Sequence, residues 1–425
     1  MPNGFSKEER VMFDQVLEGF DDQLVIAKEV EVYNIGSAQE QQRMSDRVWR
    51  PMPYIAVTYD GFDQSSNFGD ITQLSVPAII GQHKSAPGKF TSKDLRDQQQ
   101  LSRYGEAAKL KLSSDINYAI YQTVALQGSI VSKRTVAATG FDDVALIDAQ
   151  MTELGVPLAQ RKVFYGPRDY NNMASTIAKP QTSAAGKAIT AYERATIGNV
   201  AGIDVFKNDQ WISLTAAAAT GVTMNGANQR YVPASVTTDA SGNTTNVDNR
   251  YQTISITVTS GTVKVGDAFT IAGVNAVHPI TKQSTGQLKT FRIVSIVTGA
   301  GGTGTVQITP PIIAADSSPT RAELQYKNVT ATPANGANIT FLNTTTAAVN
   351  PFFVKPAVEL LPGTFAVDPQ DGWQVLRATT DMGVGITYAR QGEINDLTVK
   401  YRWDVDFGVA PLNTEMMGIQ MFSQA

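Results

Sequence analysis

Cysteine is missing altogether from the 425 residues, and histidine occurs only as His83 and His278. Without cysteine there is no disulfide, no thiolate zinc site and no cysteine nucleophile. Two histidines in different parts of the chain, neither with ligand-spaced neighbours, give no basis for an imidazole acid–base pair or a metal site. No run approaches the roughly 18 apolar residues of a membrane span. The opening MPNGFSKEER is polar and lacks the apolar core of a signal peptide. A soluble chain, kept in the cytoplasm and without a membrane partner, is the expectation. A basic excess is lacking too. The formal net charge of −4 argues against a sequence-wide surface for gripping phosphates, so a role near DNA would be to surround it.

What is present is a globular balance, 42% hydrophobic and 17% charged, in a chain long enough for more than one core. Over residues 6–33 the spacing predicts one or two helices. Ser6 with Glu9 has the form of a capping box, and Val11, Phe13, Val16, Leu17 and Phe20 cluster on one side. The acids Glu8, Glu9, Asp14, Glu18, Asp21 and Asp22 gather on the same segment. It either packs on its own domain, as an ordinary surface helix would, or reaches a neighbour. Residues 46–90 lose helical periodicity. RVWRPMPYIAVTYDGF and DITQLSVPAII, joined by the turn-rich DQSSNFGD, read as a long projecting hairpin. Pro53 and Pro77 restrict it to an edge or ribbon, and its apolar side needs a partner surface.

Residues 91–127 read as the longest helix. It starts at Thr91 and Asp94, carries Ala108, Leu112, Ile116, Ala119 and Thr123 on one face, and ends at Gly128. A helix of about 35 residues would reach about 50 Å, the length of a spine. DDVALIDAQMTELG then reads as a helix, RKVFYGP as a strand and RDYNNMASTI as a helix, a mixed α/β pattern. From about 217 to 345 the style changes. YQTISITVTSG alternates apolar and polar, and TVKVGDAFTIAGV, LKTFRIVSIVTG and TVQITP follow at short spacing, which predicts a small antiparallel barrel or sandwich. FAVDPQDGWQVLRATT, GVGITYARQG and DLTVKYRWDVDFGVAP read as strands completing a sheet begun before this insertion.

Two chemical motifs reduce to structure. GAGGTG, with Gly299, Gly301 and Gly304, fits the dinucleotide fingerprint, yet the next segment is a strand where that site requires a helix. It is read as a hairpin connection, with no cofactor. Asp142 and Asp143 sit at a helix start, where capping and the helix dipole account for them. No catalytic, cofactor-binding or metal site is expected, and the chain is read as a non-enzyme.

Three stretches in order along the chain resemble the coat proteins of short-tailed phages of the P-twenty-two type. They are AYERATIGNVAGIDVF at 191–206, NVDNRYQTISITVTSGTVKVGDAFTIAGV at 246–274 and DMGVGITYARQGEINDLTVKYRWDVDFGVAPL at 381–412. The resemblance implies an α+β chain of the Hong Kong ninety-seven type: a long spine helix, an extended loop, a mixed axial domain and an inserted antiparallel β-barrel. The parts expected are an N-terminal arm at 1–45, an extended loop at 46–90 and a peripheral domain at 91–135. The axial domain follows at 136–219, the inserted barrel at 220–345 and the axial and peripheral completion at 346–425. The implied function is that of a major capsid protein, building hexamers and pentamers of an icosahedral virion shell in the host bacterial cytoplasm. The implied partners are other copies of the chain, a scaffolding protein, a portal protein and enclosed double-stranded DNA without sequence-specific binding. The expected contact residues between subunits are Trp49, Tyr54, Tyr59 and Phe62 on the ribbon and Asp239 on the loop TTDASGNTT. That loop has Ser241 and Thr244 where the family implies further charges, so hydrogen bonds or a separate partner are expected in place of ion pairs. A β-rich receptor-binding fibre or adhesin is the alternative; it accounts for 217–345 and leaves the spine helix unexplained.

Overall fold

A computed structural model describes residues 5–35, 40, 44–97, 99–177, 197–316, 318–365 and 374–424. In chain order it begins with helix α1 (Lys7–Glu18) and strands β1 (Glu31–Val32), β2 (Arg47–Pro51), β3 (Ser75–Ile79) and β4 (Gln82–Thr91). Helix α2 (Gln99–Gln127), β5 (Ile130–Lys133), α3 (Phe141–Glu153), β6 (Arg161–Tyr165), α4 (Pro167–Ile177), β7 (Gly198–Val200) and β8 (Ile203–Lys207) follow. The middle is strand-rich: β9 (Ser213–Leu214), β10 (Thr223–Met224), β11 (Val236–Thr238), β12 (Thr244–Asn246), β13 (Gln252–Thr257), β14 (Ala268–Val277), β15 (Ser284–Ile296) and β16 (Gly304–Thr309). It ends with the short helix α5 (Arg321–Tyr326) and β17 (Ile339–Phe341). Last come β18 (Ala347–Ala348), β19 (Asn350–Val354), β20 (Val358–Pro362), β21 (Gln374–Thr379), β22 (Gly385–Glu393), β23 (Thr398–Pro411) and β24 (Met417–Met421).

The chain forms two compact units. The first comprises Met1–Val48, Pro77–Tyr121 and Val358–Ala410. Its sheet runs β1-β20-β23-β22-β21, with β4 paired to β23 from Gln82↔Phe407 to Thr91↔Thr398. Trp403, Tyr388 and Phe407 are fully buried there, and Phe13 of α1 stacks on Trp403. Glu9 is buried and does two things at once. It completes the capping box with Ser6, and it binds Arg390 on β22. Asn117 of α2 accepts from the amides of Ile26 and Ala27 and donates to the Gln23 carbonyl, holding the turn after α1. Thus residues 7–32 pack on their own unit.

The second unit comprises Trp49–Val76, Gln122–Ala357 and Pro411–Ala425. One sheet, β5-β24-β19-β6-β8-β7, buries Val163, Phe352, Val205 and Ile203 against Ile147 and Met151 of α3 and Met173 of α4. Strands from both sides of the insertion therefore share one sheet. The inserted segment forms a second sheet, β10-β13-β16-β15-β14-β17, around Ile254, Ile256, Phe269, Phe291, Ile293 and Ile308. Its two end strands meet: Ile339 donates to the Val222 carbonyl and Met224 to that of Ala337, so the sheet closes as a small barrel.

Two boundaries differ from the sequence reading. Thr91 and Asp94 do bond reciprocally, but they open a 3-10 turn at Asp94–Arg96. The long helix begins at Gln99 and has 29 residues, about 44 Å. The hairpin expected at 46–90 pairs only over β2 and β3, and residues 52–74 form no strand. Four of their backbone groups, at Ile55, Asn67 and Thr72, bond instead to side chains of the inserted segment. Residues 191–196 and 366–373, which carry part of two quoted stretches, lie outside the described residues.

Candidate assembly surfaces

Residues 52–74 hold three acids, Asp60, Asp63 and Asp70, and no lysine or arginine. Tyr54, Tyr59, Phe62, Phe68 and Ile71 are all exposed on this stretch, Phe62 fully. Trp49 lies on β2 and is half-buried. The Tyr54 hydroxyl donates to Gln73 Oε1 at 2.9 Å. So much exposed aromatic surface on one acidic segment is uncommon for a surface that stays in water.

The same segment is anchored from behind. Gln325 of α5 accepts from the Thr72 amide at 3.2 Å and donates to the Ile55 carbonyl at 3.2 Å. Arg321 Nη1 donates to the Asn67 carbonyl at 2.7 Å, and Tyr326 Oη to that of Thr72 at 2.9 Å. Leu74, Ile313 and Tyr326 form an apolar cluster with Met52, Ile55 and Tyr231. The sequence reading missed α5, although Thr320 and Glu323 carry its capping box. It missed Phe68 and Ile71 too, because residues isolated among polar neighbours give no periodic signal.

Asp239 sits apart, at the tip of the hairpin β11–β12, whose six strand residues are all exposed. Its Oδ1 accepts from the amides of Ser241 and Asn243, each at 2.9 Å, and its Oδ2 from Asn243 Nδ2 at 3.1 Å. These bonds, led by that from the Asn243 backbone, hold its carboxyl below the usual range. The loop's single acid thus organises its own turn while remaining exposed.

The inserted barrel grips the end of α2 through a buried cation. Arg292 donates to the carbonyls of Ala125 and Gly128 at the helix C-terminus, where acceptors are left unpaired, and to that of Gly266 in its own barrel. Burial pulls its guanidinium down to about 10, which still leaves it charged at neutral pH. Tyr251 donates to Gln127, and Lys289 and Asn328 both reach Glu415 Oε1, at 2.6 and 3.0 Å.

The positions weighed for chemistry are engaged structurally. GAGGTG joins β15 to β16, and a Cβ on Gly299 or Gly304 would lie 2.2 or 2.5 Å from a backbone carbonyl oxygen. Asp143 accepts from the Thr139 and Gly140 amides and pairs with Arg134 at 2.8 Å. His83 meets Asp404 at 3.1 Å, and His278 Nδ1 accepts from the amides of Ile280 and Thr281. Asp169, Asp267 and Asp406 are each pushed up, chiefly by burial, but they sit on α4, just before β14 and on β23. A trough of about 450 Å³ across the first unit's sheet is lined in part by Lys89, Arg390, Lys400 and Arg402, and by no carboxylate. Among the described residues no cluster has the makings of a metal site, and no helix is long and apolar enough to cross a membrane.

A solved structure titled CUS-3 coat protein I-domain is 42% identical, covering 31% of this chain and 98% of that one, with a TM-score of 0.23. A structure from Mycobacterium phage Che8 is 12% identical over 93% of this chain and 90% of that one, with a TM-score of 0.42. The capsid of cyanophage P-SCSP1u is 10% identical over 93% and 87%, with a TM-score of 0.43. The model of the family described as P22 coat protein, gene protein 5, matches residues 1–423. The chain belongs to the P22 coat protein family and is a major capsid protein of the phage-capsid fold.

Proposed function

We propose that copies of this chain close into an icosahedral shell of hexamers and pentamers, assembled around a scaffolding protein with a portal at one vertex. The shell then encloses double-stranded DNA without reading its sequence, and assembly takes place in the host bacterial cytoplasm. The observation that carries this reading is the exposed aromatic and acidic stretch 52–74, which has the composition of a surface awaiting another subunit. In the proposed contact Trp49, Tyr54, Tyr59 and Phe62 lie over a neighbouring copy. The β11–β12 hairpin meets a different capsomer, and Asp239 supplies its single charge. An exposed ion pair there would add only about 0–1 kcal/mol, so closure rests on repetition: weak contacts allow errors to dissolve during growth, and a closed shell multiplies them.

The purified protein, mixed with its scaffolding partner, is expected to give closed particles in negative-stain micrographs and a fast boundary in sedimentation. Stable monomers under those conditions would refute the proposal. Trimers or filaments would favour a fibre.

A further inference from the structure

Residues 52–74 have no helix or strand of their own, yet their backbone is tied at Ile55, Asn67 and Thr72 by three side chains of α5. That helix is itself fixed in the inserted segment at both ends. Thr320 and buried Glu323 cap its start, with Arg230 Nε 3.5 Å from Glu323. Lys282 Nζ, on the turn between β14 and β15, donates to the Gln325 carbonyl at 2.6 Å at its end. Gly69 passes so close that a Cβ there would lie 3.0 Å from Arg321 Nη1. An irregular segment left to itself would lose conformational entropy residue by residue on meeting a partner. Ordering it beforehand removes that cost from the association step.

We infer that α5 is a bracket fixing the pose in which residues 52–74 are offered to a neighbouring copy, with Arg321 and Gln325 as its positioning residues. The inserted domain then governs shell assembly through the ribbon of its own chain, independently of what its outer hairpin touches. This rests on the reading of 52–74 as an intersubunit contact.

The test is Arg321→Ala with Gln325→Ala, read by hydrogen exchange of the purified subunit and by particle yield with scaffolding protein. Amides of 55–72 should exchange about tenfold faster while those of β13–β16 keep their protection, and yield of regular particles should fall several-fold. Arg321→Lys, which keeps a donor, should restore both. Thr72→Pro removes the amide bonded to Gln325 from the ribbon side without touching the barrel core, and should reproduce the loss. Unchanged exchange at 55–72 in both variants would overturn the bracket. Faster exchange with normal particles would instead overturn 52–74 as an assembly contact.

Discussion

The Asp239 carboxylate, proposed above to face a neighbouring subunit, is already engaged in its own turn by two backbone amides and the Asn243 side chain. Its pKa is depressed by those bonds. The stabilisation it gives the turn is therefore complete above the unfolded value of about 3.9 and is lost as pH falls through the lowered folded value. The Ser241 and Asn243 amide resonances should shift only below about pH 4, and Asp239→Ala should speed their exchange at pH 7. Resonances that stay flat through the acid range would show that the carboxylate does not order the turn. Glycine makes the opposite kind of contribution. At Gly299, with φ +86° and a carbonyl oxygen 2.2 Å from where a Cβ would stand, the hairpin depends on a side chain's absence.

Helix α1 separates what local sequence can announce from what it cannot. Its capping box is visible in Ser6 and Glu9, and both hydrogen bonds form. The partner that pairs with buried Glu9, Arg390, is 381 positions away. Ser6→Ala should cost about 1 kcal/mol in urea unfolding. Glu9→Ala, which also removes the ion pair with Arg390, should cost about 3 kcal/mol. Equal losses would mean that the ion pair adds nothing. The same division runs through the fold. Alternation identified β13, and punctuation identified α3, β6 and α4, because those signals lie within one element. The expected strand at Tyr54–Tyr59 did not form: β-formers need a paired neighbour, and here no strand pairs with them while Gln325 takes the Ile55 carbonyl. Of the aromatic candidates, Tyr54, Tyr59 and Phe62 are exposed and Trp49 is half-buried. Their bracket was not legible in the sequence, because its contacts span about 250 residues of chain.

For the whole molecule, exposed side chains carry the assembly predictions, because replacing them leaves the subunit's own core intact. Tyr59→Ser with Phe62→Ser should leave the melting temperature unchanged and sharply reduce particle yield by sedimentation. Burying a phenylalanine is worth about 2 kcal/mol, more than tenfold for each contact in an equilibrium repeated over every subunit. Undiminished yield would remove these residues from the interface. The inserted domain enters and leaves through one joint, where β9 and β18 pair Leu214↔Ala347 and Ser213↔Ala348. Antiparallel strands pulled from the same end peel apart one bond at a time, so this joint is mechanically a zipper and resists little tension. Away from that joint, Arg292, Tyr251 and the Lys289–Glu415 pair tie the domain to the end of α2 and to the turn after β23. In a shell strained from within, these side chains, more than the two-residue zipper, would hold each inserted domain to its subunit.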